Sequence, residues 1–300
     1  MRGATLKPII DTADCMTPYI NVLRERGVRT VIRYFNHRNG DLPNKCLKLA
    51  EAQSLTDAGF TLAVVFEQRG GARGNIGDLD QAHGVQDAAR ALDLAASLNQ
   101  PEGSAIYFAV DDDYYTASQL ALIEPYFAEV RKALANKYRV GIYASGTVAS
   151  WMLTRGYVDL VWLCGSTGWS GTREFLRSGH WALFQGEMEK TERTLLGMFG
   201  YDGSDVHPEQ PDFGQFTLGS VSVSTPTPAA PAIMQVNARS GLKLRPTASL
   251  ELTELTTVPN NTVVHGLRRV GDFIQVDLNG DGVADGFMYA AYLQTLAGSI

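Results

Sequence analysis

Cysteine is scarce in this chain and carries no framework. Cys15, Cys46 and Cys164 are odd in number and far apart, with no Cys-x-x-Cys spacing. That excludes a disulfide scaffold and a zinc knuckle and leaves small buried thiols as the expectation. Histidine is equally sparse: His37, His83, His180, His207 and His265 are scattered without a His-Glu-x-x-His pair, so metallohydrolase chemistry is not indicated. No serine sits in a Gly-x-Ser-x-Gly elbow. The glycine-rich stretch Gly70–Gly77 lacks the Lys-Ser/Thr of a phosphate loop and the spacing of a dinucleotide fingerprint, and reads as a loop beside the third strand. Basic charge is in deficit, with 26 Lys and Arg against 32 Asp and Glu and a net charge of −6. A general nucleic-acid or anionic-membrane binder needs clustered cations, so neither partner is expected. No apolar run is long enough to span a bilayer. The opening Met1–Pro8 lacks the apolar region of a signal peptide, so export by another route, or earlier removal of a signal, is the expectation.

What is present is enough for a sizeable core: 300 residues, 45% hydrophobic and 19% charged. Residues 221–232, Val-Ser-Val-Ser-Thr-Pro-Thr-Pro-Ala-Ala-Pro-Ala, cannot pack a core and read as a semi-rigid linker between a larger part, 1–220, and a smaller one, 233–300. In the larger part short β-rich runs alternate with helical stretches. The runs are Lys7–Asp11, Thr30–Tyr34, Thr61–Glu67, Ala105–Asp111, Val140–Ala144, Leu160–Leu163, His180–Gln185 and a weaker Met198–Asp202. Their near-continuous hydrophobicity predicts a parallel sheet covered by helices. In Ser118–Asn136, Ile123, Phe127, Val130 and Leu134 recur at three and four residues, the stripe of an amphipathic helix, and a second helix is expected over Leu79–Leu98. The fold class is therefore α/β: a (β/α)₈ barrel followed by a small all-β barrel, with a doubly wound open sheet as the alternative for the first part.

In a barrel of this kind chemistry gathers at the C-terminal ends of the strands. Here those ends carry Asp11, Arg33, Tyr34, Glu67, Asp111, Asp113, Tyr143, Gln185 and Asp202, with Trp162 near the same rim. The densest feature is Ala105-Ile-Tyr-Phe-Ala-Val-Asp-Asp-Asp113, an apolar strand core running into three acids. Alternation along a strand puts Asp111 and Asp113 on one face, roughly 7 Å apart, a spacing suited to glycosidic cleavage by paired carboxylates. A glycosidase needs one carboxyl with a raised pKa as acid and a second that stays ionised. The candidate catalytic residues are Glu67, Asp111 and Asp113, with Glu67 or Asp113 as acid and Asp111 orienting or ionised. Asp11, Arg33, Tyr34, Tyr143, Trp162, Gln185 and Asp202 are candidates for substrate binding. No cofactor is required by this chemistry.

Pro8-Ile-Ile-Asp11, Val64-Val-Phe-Glu67, Ile106-Tyr-Phe-Ala-Val-Asp-Asp-Asp113, Tyr138-Arg-Val-Gly-Ile-Tyr143 and Tyr201-Asp202 together resemble the bacterial glycoside-hydrolase-like barrels that are similar to family 25 lysozymes. The resemblance covers roughly residues 5–217. It implies muramidase action on peptidoglycan, with Asp111 matching the Asp of that family's Asp-x-Glu pair. Asp113 stands where the family has its proton-donating Glu, a departure that opens the acid role to Glu67. After the linker, Leu242-Lys-Leu-Arg245 and the short strands around it look like a bacterial SH3-type domain, which implies cell-wall binding. Within it Asp277, Asn279, Asp281 and Asp285 occupy calcium-loop positions, with Met288 in place of the bidentate Glu, so calcium and a plain tight hairpin both remain open. The expectation is an extracellular or wall-associated monomer whose partner is peptidoglycan. The alternatives are a catalytically silent wall binder on the same scaffold and a glycosidase for another polysaccharide.

Overall fold

The computed structural model describes residues 5–68, 75–135, 137–219, 232–245, 248, 250, 254–280 and 284–296. Most of the glycine-rich loop, through Gly74, and nearly all of the linker lie outside the described residues. Eight strands close into a barrel in sequence order: β1 (Ile9–Asp11), β2 (Thr30–Phe35), β3 (Thr61–Phe66), β4 (Ala105–Ala109), β5 (Arg139–Ala144), β6 (Leu160–Leu163), β7 (Leu183–Thr194) and β8 (Gly197–Val206). Helices α1 (Ile20–Glu25), α2 (Leu49–Asp57), α3 (Gln81–Leu98), α4 (Ala117–Leu134), α5 (Gly146–Thr154) and α6 (Thr172–Ser178) occupy the crossovers from β1 to β7. The two long helices fall where their apolar period places them. Asp80 caps α3 by accepting from His83 N at 2.9 Å, and Thr116 with Gln119 forms a capping box that starts α4.

Alternation along the strands sorts side chains into two layers. Val31, Phe35, Leu62, Val64, Phe66, Ile106, Phe108, Val140, Ile142, Val161 and Leu163 point outward and join the core beneath the helices. Ile9, Ile32, Ala63, Val65, Ala105, Tyr107, Ala109, Trp162 and Leu183 fill the interior. Tyr107 fits because strand β5 offers Gly141 beside it: a Cβ there would lie 2.4 Å from the ring. The phenol of Tyr107 donates to Phe213 O at 2.7 Å, and Phe213 closes the lower end of the interior. The interior is therefore packed below and opens at the strand ends above.

The expectation of eight parallel β/α units is corrected at its last member. Strands β1 to β7 are parallel neighbours, but β8 runs antiparallel to both β7 and β1 and follows β7 through a hairpin turn at Leu195-Leu196. The segment that would have to make a seventh helix, Gly186–Gly200, has no apolar stripe at helical spacing, so the chain doubles back as a β-arm instead.

In the C-terminal part, β9 (Ala232–Val236), β10 (Leu242–Leu244), β11 (Thr256–Val258), β12 (Val263–Val270), β13 (Phe273–Asp277), β14 (Gly286–Tyr289) and β15 (Leu293–Thr295) form a five-stranded antiparallel sheet, ordered β14-β13-β12-β9-β15, and a two-stranded ladder, β10-β11. Met234, Val236, Leu242, Leu244, Val258, Val264, Val276 and Met288 make its own apolar cluster.

Candidate active site

A pocket of about 200 Å³ opens at the barrel mouth, and every strand supplies part of its wall. Asp11 comes from β1, Tyr34 from β2, Val65 from β3 with Glu67 just beyond it, and Ala109 from β4 with Asp111 two residues on. Tyr143, Trp162, Gln185 and Asp202 come from β5, β6, β7 and β8. Each has the inward parity of its strand. Asp202 is at the mouth because β8 is reversed: it sits directly opposite Asp11 in the β1–β8 register, while the strand continues to Val206 below.

The polar groups form one network. Tyr34 Oη donates to Asp11 Oδ2 at 2.8 Å; Gln185 Nε2 donates to Asp11 Oδ1 at 3.2 Å and to Asp202 Oδ2 at 3.1 Å. Tyr143 Oη donates to Gln185 Oε1 at 2.8 Å, and the Glu189 amide on the β-arm donates to Asp202 Oδ1 at 2.5 Å. Trp162 forms the floor, its indole N–H donating to Ser204 Oγ at 3.1 Å and its face meeting Tyr143 edge-on. It is an interior residue rather than a rim platform.

Burial dominates the electrostatics. It pushes Asp11 up to about 8, with the charges of Asp202 and Glu67 adding to the rise and the hydrogen bonds from Tyr34 and Gln185 opposing it. Burial also lifts Asp111 to about 6, with Glu67 and Asp112 adding and Lys45 opposing. Asp202 is raised as well, first by burial. At neutral pH the mouth thus holds protonated Asp11 beside ionised Asp111 within one small cavity, the division of labour that acid–base chemistry requires.

Two of the residues assigned from sequence do not reach the pocket. Arg33 is 0% exposed and points outward between barrel and helices, where it pairs with Glu51 of α2 at 2.9 Å and donates to the carbonyls of Thr12 and Asn44. It neighbours Tyr34 in sequence and therefore faces the other way. Asp113 continues the inward parity of β4 on paper, but the strand ends at Ala109 and the chain bends; its Oδ1 accepts from Ser170 N at 2.9 Å. That bond ties Asp113 to the Ser170 loop, and Asp113 is not among the residues that line the pocket.

Sequence reasoning missed Lys45. Its ammonium lies 3.4 Å from Glu67 Oε1 and 4.8 Å above the ring of Tyr34. It belongs to the β2–α2 loop, where a lone lysine gives no periodic signal.

In the C-terminal hairpin, Asp277 Oδ1 accepts the amides of Asn279 and Gly280 at 3.1 and 2.7 Å, and Asp285 Oδ2 accepts that of Leu278 at 2.7 Å. These are the bonds of a tight Asx-type turn. Asp281 lies outside the described residues, and among the described residues no cluster of three or more His, Cys, Asp or Glu is arranged to hold a metal.

A closed eight-stranded barrel whose mouth gathers four acids is the architecture of a glycoside hydrolase-like domain. The family model described as "Rv2525c-like, glycoside hydrolase-like domain" matches residues 21–212, and the chain belongs to that family. Among curated relatives, the uncharacterized protein YbfG of Bacillus subtilis (strain 168) is 30% identical over 212 residues, 65% of this chain and 29% of that protein. The uncharacterized protein FadG of the same organism is 27% identical over 168 residues, 54% of this chain and 29% of that protein. The chain thus spans less than a third of the length of either. The crystal structure of the Mycobacterium tuberculosis Tat-secreted protein Rv2525c in complex with L-tartrate matches with a TM-score of 0.57 at 24% identity, covering 69% of this chain and 97% of that one; it shares the fold. Among the described residues no helix is long and apolar enough to cross a membrane.

Proposed function

We propose that the mouth pocket is the active site of a glycosidase that cleaves the glycan of peptidoglycan in the manner of a muramidase. The observation that carries this reading is the meeting of Asp11, Glu67, Asp111 and Asp202 from four strands in one cavity, with Asp111 raised to about 6. Asp111 is the general acid: it protonates the glycosidic oxygen as the C–O bond breaks. Glu67, ion-paired with Lys45, is the second carboxylate, which stabilises the oxocarbenium-like centre and takes the proton of the entering water. Asp11, Tyr34, Tyr143, Gln185 and Asp202, already joined by hydrogen bonds, orient the sugar and its substituents. This assignment moves the acid role from Glu67 or Asp113 to Asp111.

The C-terminal sheets, with an apolar cluster of their own, act in this reading as an SH3-like wall-binding domain joined by the proline-rich linker. The similarity to a Tat-secreted protein supports an extracellular setting. One observation favours a second reading, a silent wall binder: Asp113, at the position of the family 25 proton donor, has its carboxylate committed to the Ser170 amide. Incubation with purified peptidoglycan decides between them. New reducing ends that vanish in Asp111→Asn support the glycosidase; wall binding with no reducing ends from the parent supports the silent binder.

A further inference from the structure

The β2–α2 loop that brings Lys45 to the pocket has a second side. There, against α3, lies a groove of about 420 Å³, a size suited to a small ligand. Its wall includes His37, Arg38, Lys48 and Arg90 and no acidic residue, a marked local departure in a chain of net charge −6. Among the described residues Arg38, Lys48 and Arg90 form no ion pair. The apolar part of the wall is Leu47, Leu49 and Leu94, of which Leu49 is exposed.

The groove is held in place from beneath. His37 Nε2 lies 2.7 Å from Oδ1 of buried Asp87, whose Oδ2 accepts from Tyr126 Oη at 3.0 Å. Arg90 Nε donates to Asn36 O at 3.2 Å, fixing the guanidinium to the loop. The amides of His37 and Arg38 both donate to Gln68 Oε1 at 2.9 Å, and Gln68 follows Glu67 of the pocket directly. The groove loop is therefore tied to the chain segment that carries Glu67 into the pocket, and the β2–α2 connection runs from Tyr34 at the acidic pocket to the cationic groove.

We propose that this groove binds an acidic peptide attached to the glycan whose sugar occupies the pocket. The inference rests on the glycosidase reading for the position of the sugar. Carboxylates of the peptide pair with Arg38, Lys48 and Arg90, and small aliphatic side chains lie on Leu49. Charge complementarity selects this occupant: the acid-lined pocket repels carboxylates, and a peptide-substituted glycan presents them beside its sugar ring.

The probes are a short alanyl-glutamyl peptide with free carboxylates and the same peptide fully amidated, titrated into the full chain by calorimetry. The carboxylate form should bind, more weakly as salt rises, and the amidated form at least about tenfold more weakly. The double variant Arg38→Ala/Lys48→Ala, both exposed positions, should lose about tenfold in affinity with an unchanged melting temperature. Equal binding of the two peptides, or full binding by the double variant, overturns the proposal. Tighter binding of a phosphate polymer than of the peptide overturns it in favour of a general polyanion site. The glycosidase reading is scored separately: peptide binding without release of reducing ends sinks that reading and keeps the groove, whereas reducing ends without peptide binding does the reverse.

Discussion

Replacing Asp11 by Asn should stabilise the barrel at neutral pH, and the gain should shrink as the pH is lowered. Asp11 is 2% exposed, and burial first, Asp202 second, lift its carboxyl from 3.8 to about 8. Between those values the native protein holds a proton that the unfolded chain has released. The native state then binds more protons, and stability falls as pH rises. At about 1.4 kcal/mol per pH unit, keeping this group to pH 7 costs the fold about 4 kcal/mol. An amide never ionises and escapes that cost. Hydrogen bonding acts against the gain, because Asp11 accepts from both Tyr34 and Gln185 and an Asn has only one acceptor oxygen. One mismatched bond costs about 1–3 kcal/mol, less where the Gln185 amide turns to offer its oxygen. The expected outcome is a gain of about 1–3 kcal/mol at pH 7 that disappears or reverses near pH 4. Urea denaturation followed by tryptophan fluorescence reads this cleanly, since Trp151, Trp162, Trp169 and Trp181 all lie in the barrel part. A variant less stable than the parent at pH 7, or a difference independent of pH, would refute the reasoning and return Asp11 to an ordinary carboxylate.

The remaining predictions address single groups. Asp111→Asn should lower release of reducing ends by at least about 100-fold, and the parent's activity should fall as pH rises through about 6, where Asp111 gives up the proton an acid needs. Asp113→Asn should keep turnover and lose about 1 kcal/mol in denaturation, the scale of one weakened bond to the Ser170 amide. Arg33→Met should destabilise by about 3–5 kcal/mol by leaving Glu51 buried and unpaired, and Arg33→Met/Glu51→Leu should recover most of it; equal losses in both would contradict the pairing. Millimolar calcium should raise the melting temperature of the C-terminal part if Asp277, Asn279, Asp281 and Asp285 bind it; an unchanged melt leaves the plain turn.

The eight strands were legible because nearly continuous apolar runs bounded by polar ends need no tertiary information. Which face each end residue takes was less so. Arg33 and Tyr34 both look like strand-end polar groups, yet a strand buried on both faces shows no alternation in hydrophobicity, so nothing in the sequence says that one enters the pocket and the other meets Glu51. Asp113 lies outside the pocket lining for a different reason: alternation holds only while the strand lasts, and β4 stops four residues earlier. Lys45 was invisible because its position depends on the fold of its loop. Asn39 Oδ1 accepts the Cys46 amide at 3.0 Å and Arg33 holds the Asn44 carbonyl, contacts that no spacing in the sequence announces.

The reversal of β8 has a chemical consequence that the all-parallel expectation would not yield. In register with β1, it sets Asp202 directly opposite Asp11, where two ionised carboxyls would repel, and that adds to the burial that holds Asp11 protonated. Helix capping offers no reason for such an arrangement: a capping carboxylate is stabilised as the anion by amides, which lowers its pKa. Here burial raises Asp11, Asp111 and Asp202 together, and a neighbouring carboxylate adds to each: Asp202 and Glu67 for Asp11, Glu67 and Asp112 for Asp111, Glu189 for Asp202. The neighbouring strand β7 runs past the mouth as the other half of the β-arm, and its Glu189 amide donates to Asp202, a contact that opposes the rise of that carboxyl. A fold selected only for stability would replace one of the facing acids by an amide. Retaining both, at a pocket to which every strand contributes, is what a site that needs proton-bearing and proton-free carboxyls side by side requires.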